Sequence, residues 1–573
     1  MSTLDWIVLI VTLAGIVLYG LYKSRTTKNL DGYFLSNRNM HWGIVLLSIM
    51  GTQASAVTFL SAPGQAFTDG MRFVQYYFGL PIAMIVLSIT FVPLFKKLHV
   101  FTAYEFLEQR FDSKTRTFTS TLFLLSRGFS TGISIYAPSI ILSSLFGWNI
   151  FYTNIIMGGI LIIYTVSGGT KAVAYTQQLQ MVIIFFAMFI AGYFIVHNLP
   201  PNVSFTDALK VSGASGKLNV ITTGVSNSGF DWKDKYNIIS GLIGGFFLSL
   251  SYFGTDQSQV GRYLTAKNIT ESRMGLLMNG LVKVPMQFLI LLIGALLFTY
   301  YQFNQAPIFF NNAVSEKVYE TKYGDTLKSL NANFIALSEQ EKKVTTAFLN
   351  ANEYNKNIYK DSLQKTNTQI TALRNDYKRV LLKADPDIDT NDTNYIFLRF
   401  VVDTLPAGLV GLLIAIIFLA SWGSIAAALN SLSACTMIDF YLRFKKKHIH
   451  PEDKDAAEEK KYHQSRWATF SWGIFCIIIA QFSSSLGSLI EAVNVLGSIF
   501  YGVILGIFLV AFYFKSIKGN AVFLSAVISE IFVITLFFLD KYNIIGLGFL
   551  WLNVIGVAFV LLFSFIFQKI IRQ

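Results

Sequence analysis

Long apolar runs alternate with short polar ones along the whole chain, and that pattern sets its class. A run of roughly 20 apolar residues is enough for a helix to cross a bilayer, and about 13 such runs occur. They lie approximately at 4–22, 43–67, 73–96, 118–146, 149–168, 176–197, 237–264, 274–303, 399–440, 466–483, 487–514, 520–539 and 544–568. The loops between them alternate in charge. Lys23, Arg25, Lys28 and Arg38 follow the first run, Lys96, Lys97, Arg110, Lys114 and Arg116 the third, and Lys171 the fifth. Arg262, Lys267 and Arg273 follow the seventh, Arg443, Lys445, Lys446, Lys447, Lys460, Lys461 and Arg466 the ninth, and Lys515 and Lys518 the eleventh. Lys569 and Arg572 end the chain. Basic loops on every second turn are expected to be cytoplasmic, which places the N-terminus outside and the C-terminus inside. The first run follows Asp5, with no basic stretch before it and no A-x-A-like cleavage site, so it is expected to be a retained span.

Two runs are poor sequences for an unbroken helix in lipid. Ile44 to Phe67 carries Gly51, Thr52, Gln53, Ser55 and Thr58 at its middle. Asn237 to Leu264 carries Gly241, Gly244, Gly245 and Gly254, which are expected to interrupt it. In hydrocarbon, non-helical backbone survives only where it lines a cavity or is buried in protein. One interrupted span in each half of the chain points to a transporter built from inverted repeats, with its binding site at the breaks.

Two segments depart from the alternation. Pro200 to Tyr236 is a polar, Gly/Ser/Asn-rich loop. Asn304 to Asn394 is long. Leu327, Leu330, Phe334, Leu337, Val344, Phe348 and Ala351 in it fall at helical spacing, as do Tyr359, Leu363, Ile370, Leu373, Tyr377 and Leu381. An Asn-rich break near 350–357 predicts two helices folded back as an antiparallel pair on the outer face. The chain therefore divides into a membrane part over 1–303, a helical extracytoplasmic insertion over 304–398 and a membrane part over 399–573.

Composition agrees with a membrane protein. Hydrophobic residues make up 53% of the 573 and charged residues only 14%, where a soluble domain averages about 25%. The net charge of +13 would suit nucleic acid, but the basic residues sit in the short loops, where membrane orientation accounts for them. Cys435 and Cys476 both lie in apolar runs, so neither a disulfide framework nor a metal cluster is expected. No P-loop or G-x-S-x-G appears, and no catalytic residue is expected.

Candidate chemistry follows from the breaks. A hard cation such as sodium takes about five or six oxygens. Unwinding of the 43–67 run would free the carbonyls of Gly51 and Ala54. Ala420, Gly423 and Ser424 fall within one helical turn of the ninth run, and they read either as further oxygen donors or as small residues that let helices pack closely. Lys283 is ionisable within the eighth run, which marks either a functional group or a lysine snorkelling toward the cytoplasmic boundary. Asp256 and Arg262 are expected to form a structural ion-pair network. Gln53, Thr58, Tyr76, Tyr77, Ser249, Tyr252 and Phe253 would together suit a small polar or weakly anionic solute, though any single aromatic here could simply be packing.

Five stretches carry a family resemblance: DGYFLSNRNMHW (31–42), TFLSAPGQAFTDG (58–70), SGGTKAVAYTQQLQ (167–180), YFGTDQSQVGRYLTAK (252–267) and LNSLSACTMIDFY (429–441). In this order they resemble the sodium/solute symporter family, with the GTDQ-x-x-V-x-RYL form nearer its iodide, monocarboxylate and multivitamin branch. The resemblance implies an all-α, polytopic membrane protein with a LeuT-like fold: five spans and their inverted repeat, one span before them and two after. It implies a sodium site on Gly51, Ala54, Ala420, Gly423 and Ser424. It places the solute on Gln53, Thr58, Tyr77, Ser249, Phe253, Lys283 and the region of Asn494, with Tyr252 closing the pocket toward the cytoplasm. The family usually offers two adjacent hydroxyl residues where this chain has Gly423 then Ser424. Many relatives place Asp where Gln177 stands, in the span tied to a second sodium, so a single sodium is expected.

The function implied is sodium-coupled import of a small polar or anionic organic solute by alternating access, in the inner cell membrane, by a protein that is not an enzyme and binds no nucleic acid. A proton-coupled carrier on the same scaffold is the nearest alternative, because Gln177 and Gly423 thin out the cation ligands. A sensory protein is disfavoured by the expectation that the chain ends five residues after its last span. A channel is disfavoured because no repeated ring of carbonyls or carboxylates is visible.

Overall fold

The structure is a computed structural model that describes residues 1–24, 30–227, 229–386, 388–444, 454–483 and 488–572. Arg25, Lys28, Lys445, Lys446 and Lys447 lie outside these residues. Apart from one two-stranded hairpin, Val225–Ser226 with Gly229–Phe230, the described chain is helical, as expected of an all-α membrane protein. Among the described residues, eight helices are long and apolar enough to cross a membrane, or nine when one bent pair is counted as a span. The thirteen expected runs each fall on a helix or a string of helices. The main differences lie at the ends. The fourth helix begins at Ser113, the tenth covers Lys454–Gln481, and the ninth begins only at Leu409 after a separate short helix, Ile396–Thr404.

The bent pair is the first expected broken span. Trp42–Gln53 and Ala56–Asp69 meet at 61° across Ala54 and Ser55. Its second half carries Pro63 and still runs as one helix, so the proline is not what breaks it. Helix Ile269–Phe303 and helix Leu409–Cys435, the latter buried along nearly its whole length, pack against both halves. The fifth and sixth runs form a single helical stretch, Ile150–His197, kinked at Gly169 with φ 58° and ψ −170°. Tyr33 packs at that corner, where a Cβ on Gly169 would lie 2.7 Å from its ring.

The second broken span corrects the sequence expectation. It starts with a wide π turn over Ser240–Gly244, continues as Gly245–Thr255, breaks at Asp256 with ψ 116°, and resumes as Gln257–Leu264. None of its four glycines is the break. A Cβ on Gly241 would overlap the carbonyl oxygen of Gln75, and one on Gly245 would sit 2.5 Å from that of Tyr76. These glycines instead allow the short 3₁₀ helix Met71–Tyr77 to lie directly on the span. Asp256 makes the break, because its carboxylate accepts from the amide of Ser258 and so caps the second helix in place of a helical carbonyl.

On the basic-loop side a buried carboxylate holds the end of the long helix. Asp439, in the π segment Thr436–Tyr441, accepts from Arg116 Nη2 at 2.6 Å, from Thr102 at 2.8 Å and from Ser120 at 3.1 Å. At the opposite side stands the insertion. Gly324–Asn350 and Glu353–Ala384 are an antiparallel pair joined at Ala351 and Asn352, as the periodicity predicts. Leu327, Phe334, Tyr377 and Leu381 join the main hydrophobic core, so the pair is packed onto the membrane part.

Because Gly241 is a site of close backbone approach, Gly241→Ala should lower stability by about 1–3 kcal/mol through overpacking. Gly159→Ala, where a Cβ meets nothing within 4 Å, should be near neutral. Thermal unfolding of the two variants in detergent checks the contrast.

Candidate functional site

The site begins with backbone bookkeeping at Ala54 and Ser55. In an unbroken helix the amides of Ser55 and Thr58 would close on the carbonyls of Gly51 and Ala54. Here Ser55 N donates to Gln53 O at 3.2 Å and Thr58 N to Ser55 O at 2.9 Å. The Gly51 and Ala54 carbonyls therefore lose their helical donors inside the protein, where an unmet acceptor is costly.

Gln177, on the long kinked helix, fills the space beside them. Its side chain lies between two glycines: a Cβ on Gly51 would come within 3.0 Å of the Gln177 stem, and one on Gly423 within 3.1 Å. Its amide Nε2 donates to the Gly423 carbonyl at 2.9 Å and to Thr52 Oγ1 at 3.1 Å, while its Oε1 accepts from Ser48 Oγ at 2.7 Å. Ala420, Gly423 and Ser424 are all buried on helix Leu409–Cys435, which packs against the broken span and against the helix carrying Gln177. Ser424 Oγ donates to Ser421 O at 3.0 Å, which leaves its lone pairs open. Freed carbonyls and an open hydroxyl are the donor chemistry a hard monovalent cation takes. The Gly423 carbonyl is the exception, since an amide already occupies it.

The other side of the break faces a cavity with about 90 Å³ open to water-sized molecules. Gln53, Thr58, Tyr76, Tyr77, Asn494 and Tyr252, six of the expected residues, line it together. Tyr76 donates to Asn494 Oδ1 at 3.0 Å, and its ring meets that of Tyr77 at 4.7 Å, edge to face. The buried Oε1 of Gln53 has no partner among the described residues, so an acceptor stands ready at the break itself. Ser249 and Phe253 are buried but do not reach the cavity wall. Lys283 stands behind the wall, fully buried, with Nζ 5.5 Å from the centre of the Tyr77 ring and no hydrogen-bond partner among the described residues. It lies about 21 Å along its helix from Ile269, so it does not snorkel to the boundary.

Sequence reasoning missed Arg127, which also lines the cavity. Its Nη1 lies 4.0 Å from Asp256 Oδ2, its guanidinium 5.9 Å from the Tyr252 ring centre, and its buried Nε has no partner. Tyr501 completes the cluster by donating to Asp256 Oδ2 at 2.8 Å, and Gln259 Nε2 holds Tyr252 Oη at 2.7 Å. Asp256 thus pairs with Arg127 and not with Arg262, whose buried Nε and Nη1 have no partner among the described residues. The same rule that singled out Lys283, an ionisable residue within an apolar run, applies equally to Arg127 in 118–146. Tyr501 carried no such signal.

Comparison with known proteins places this arrangement. The sequence model of the "Sodium:solute symporter family" matches residues 33–328 and 384–529. A sodium/sialic acid symporter of Aliivibrio fischeri is 24% identical over 570 residues, covering 99% of this chain and 93% of that protein. A sodium-dependent multivitamin transporter of Oryctolagus cuniculus is 24% identical over 530 residues, covering 90% and 67%. A Na+-coupled sialic acid symporter, solved in a substrate-bound outward-open state, matches with a TM-score of 0.74 over 99% of this chain and 98% of that one, at 22% identity. The two share a fold.

Replacing Arg127 with Met removes the cation facing a buried carboxylate, a change that typically costs 3–5 kcal/mol. Arg127→Lys keeps the charge and should lose less. Thermal unfolding of the two variants orders them.

Proposed function

The chain belongs to the sodium:solute symporter family, and from that premise we propose that it couples inward sodium flow to uptake of a small polar or anionic organic solute by alternating access. The observation that carries this reading is the break at Ala54 and Ser55, which presents freed carbonyls to one side and Gln53 and Thr58 to a cavity on the other. A cation held by Gly51, Ala54, Ala420 and Ser424 would fix the angle between the half-helices, and that angle shapes the solute cavity. Each ligand then favours the state the other binds, a coupling typically worth 1–3 kcal/mol. Gly423 belongs to the same cluster, but its carbonyl contributes only if the Gln177 amide moves away.

The solute rests against Gln53, Thr58, Tyr77 and Asn494, with Tyr252 as the gate. Arg127 lines the cavity with Asp256 beside it, and Lys283 stands behind Tyr77, so a basic side chain on each side of the wall suits an anion. The names of the bacterial relatives make sialic acid the first solute to test. Ser249, Phe253 and Lys283 act from behind the wall, by shaping it or by charge. The basic loops put the N-terminus outside and the C-terminus in the cytoplasm of a cell whose inner membrane holds all thirteen spans, with 304–398 as an outer insertion. No residue is assigned a catalytic part.

Proton coupling is the second reading, favoured by the Gln177 amide on the Gly423 carbonyl, which removes one oxygen from the cation set. Uptake of labelled sialic acid into proteoliposomes separates the two. Sodium coupling requires uptake to collapse when choline replaces sodium at fixed pH. Uptake that survives the replacement and follows an imposed pH gradient would establish proton coupling instead.

With one cation site, sodium activation of uptake should show a Hill coefficient near one. Ser424→Ala should raise the sodium concentration for half-activation on the order of tenfold, as loss of one charge-assisted oxygen contact implies. Unchanged activation in that variant removes Ser424 from the site.

A further inference from the structure

We propose that the cleft between the helical insertion and the membrane part is a second solute site, an outer vestibule that takes a small hydroxylated organic anion. The cleft has a volume of about 710 Å³, within the range of about 300–1,000 Å³ common for small-molecule sites. It lies on the side of the molecule opposite the basic loops, so calling it outer rests on the orientation proposed above. Half of its wall comes from residues 334–378, and the symporter family sequence model passes over residues 329–383. The cleft is therefore a feature of this chain that the shared family sequence does not supply.

Its charges are arranged for an anion. Lys217, Arg374 and Lys378 line it against Asp392 and Glu341. Asp392 is already engaged, accepting from Lys378 at 2.6 Å and from the amide of Phe310 at 2.9 Å. Arg374 is held by the rings of Phe310 and Phe334, 4.9 and 5.0 Å from its guanidinium, and donates Nη2 to the carbonyl of Pro307 at 2.9 Å. Its Nη1 lies 4.0 Å from Asp392, beyond hydrogen-bond reach. A guanidinium fixed in position with a face unclosed by carboxylate suits an incoming carboxylate. Burial pushes the Glu341 carboxyl up to about 7, so near neutral pH this group is only partly ionised. The net charge of the cleft is then positive.

The rest of the lining suits hydroxyls. Gln302, Gln364, Asn367, Thr371 and Asn375 supply amides and a hydroxyl. Asn367 Nδ2 donates to Ser215 Oγ at 3.1 Å and Gln364 Nε2 to the carbonyl of Ala214 at 2.9 Å, which ties the insertion to the loop below and keeps the cleft in shape. Phe67 and Thr68 form part of the floor, and they end the same half-helix whose first residues line the membrane cavity. The two sites are thus stacked along one helix about 15 Å apart at 1.5 Å per residue. A solute held in the outer cleft lies directly above the pocket it would next occupy.

Gluconate, a hydroxylated carboxylate, and sorbitol, its uncharged counterpart, are the test pair. Hydrogen–deuterium exchange is followed on the full-length protein in lipid nanodiscs, in sodium-free choline buffer. Gluconate should slow exchange several-fold in peptides covering 334–341 and 364–378, and sorbitol should not. Lys217→Gln and Arg374→Lys should each weaken the apparent affinity at least fivefold, and Thr58→Val should leave it unchanged. Should Arg374→Lys fail to fold, Lys217→Gln alone decides. Affinity should also fall from pH 6.5 to pH 8.5, as Glu341 ionises and Lys217, pushed down by burial to about 8, loses its proton. Arg374, Lys378 and Asp392 are the other charged groups facing the cleft, and Asp69 faces Lys217. Protection that is absent, equal with sorbitol, or retained in Lys217→Gln overturns the proposal. Sodium-driven uptake in proteoliposomes is a separate readout, so failure of the transport reading would leave this result standing, and the reverse.

Discussion

A helix inside a bilayer satisfies its own backbone, and a break in one hands that requirement to its surroundings. Everything at the centre of this protein follows from the place where Trp42–Gln53 gives way to Ala56–Asp69. The break survives because it is buried between helices Ile269–Phe303 and Leu409–Cys435, and because neighbouring groups meet its loose ends. Gln53 and Ser55 carbonyls take the displaced amides, and Gln177 reaches across to bind Thr52 and Gly423. What is left over is two carbonyls displaced from their helical donors, and a cavity beginning at the next side chain.

The same economy governs charge in the interior. Arg127 and Asp256 face each other beside the cavity, and Tyr501 and Ser258 complete the carboxylate's partners. Lys283 has no such partner among the described residues and lies over the face of Tyr77. An ammonium buried without an acceptor costs stability unless another ligand supplies the negative charge. Under the proposed function, its position behind the cavity wall is where an anionic solute would compensate it. The Arg116–Asp439 cluster at the basic-loop end is different in kind, since every oxygen there is met by the protein and nothing is left for a ligand.

The insertion adds a second layer to this design without altering the first. Its paired helices pack onto the membrane core through Phe334, Tyr377 and Leu381. Arg374 and Lys378 line the same cleft as Phe67 and Thr68, so whatever binds beneath the insertion lies against the half-helix that also lines the cavity at the break.

Local pattern carried much of this into the sequence. Apolar runs and alternating basic loops are demanded residue by residue by the bilayer, and the polar cluster from Gly51 to Thr58 marks the first break because no other kind of span tolerates it. The 3.6-residue period of 327–381 likewise shows the paired helices before any contact is known. Positions set by distant partners were not legible. Gly241 and Gly245 looked like helix breakers, yet they are small because the backbone of Gln75 and Tyr76 lies on them, a neighbour more than 160 residues away in the chain. Gln177 looked like a missing carboxylate, and only the folded packing shows its amide filling the gap between two glycines. The sequence by itself determined which segments lie in lipid and where one of them must open. Which polar groups meet at that opening was decided by the tertiary structure, because burial leaves each of them to find its partner on another helix.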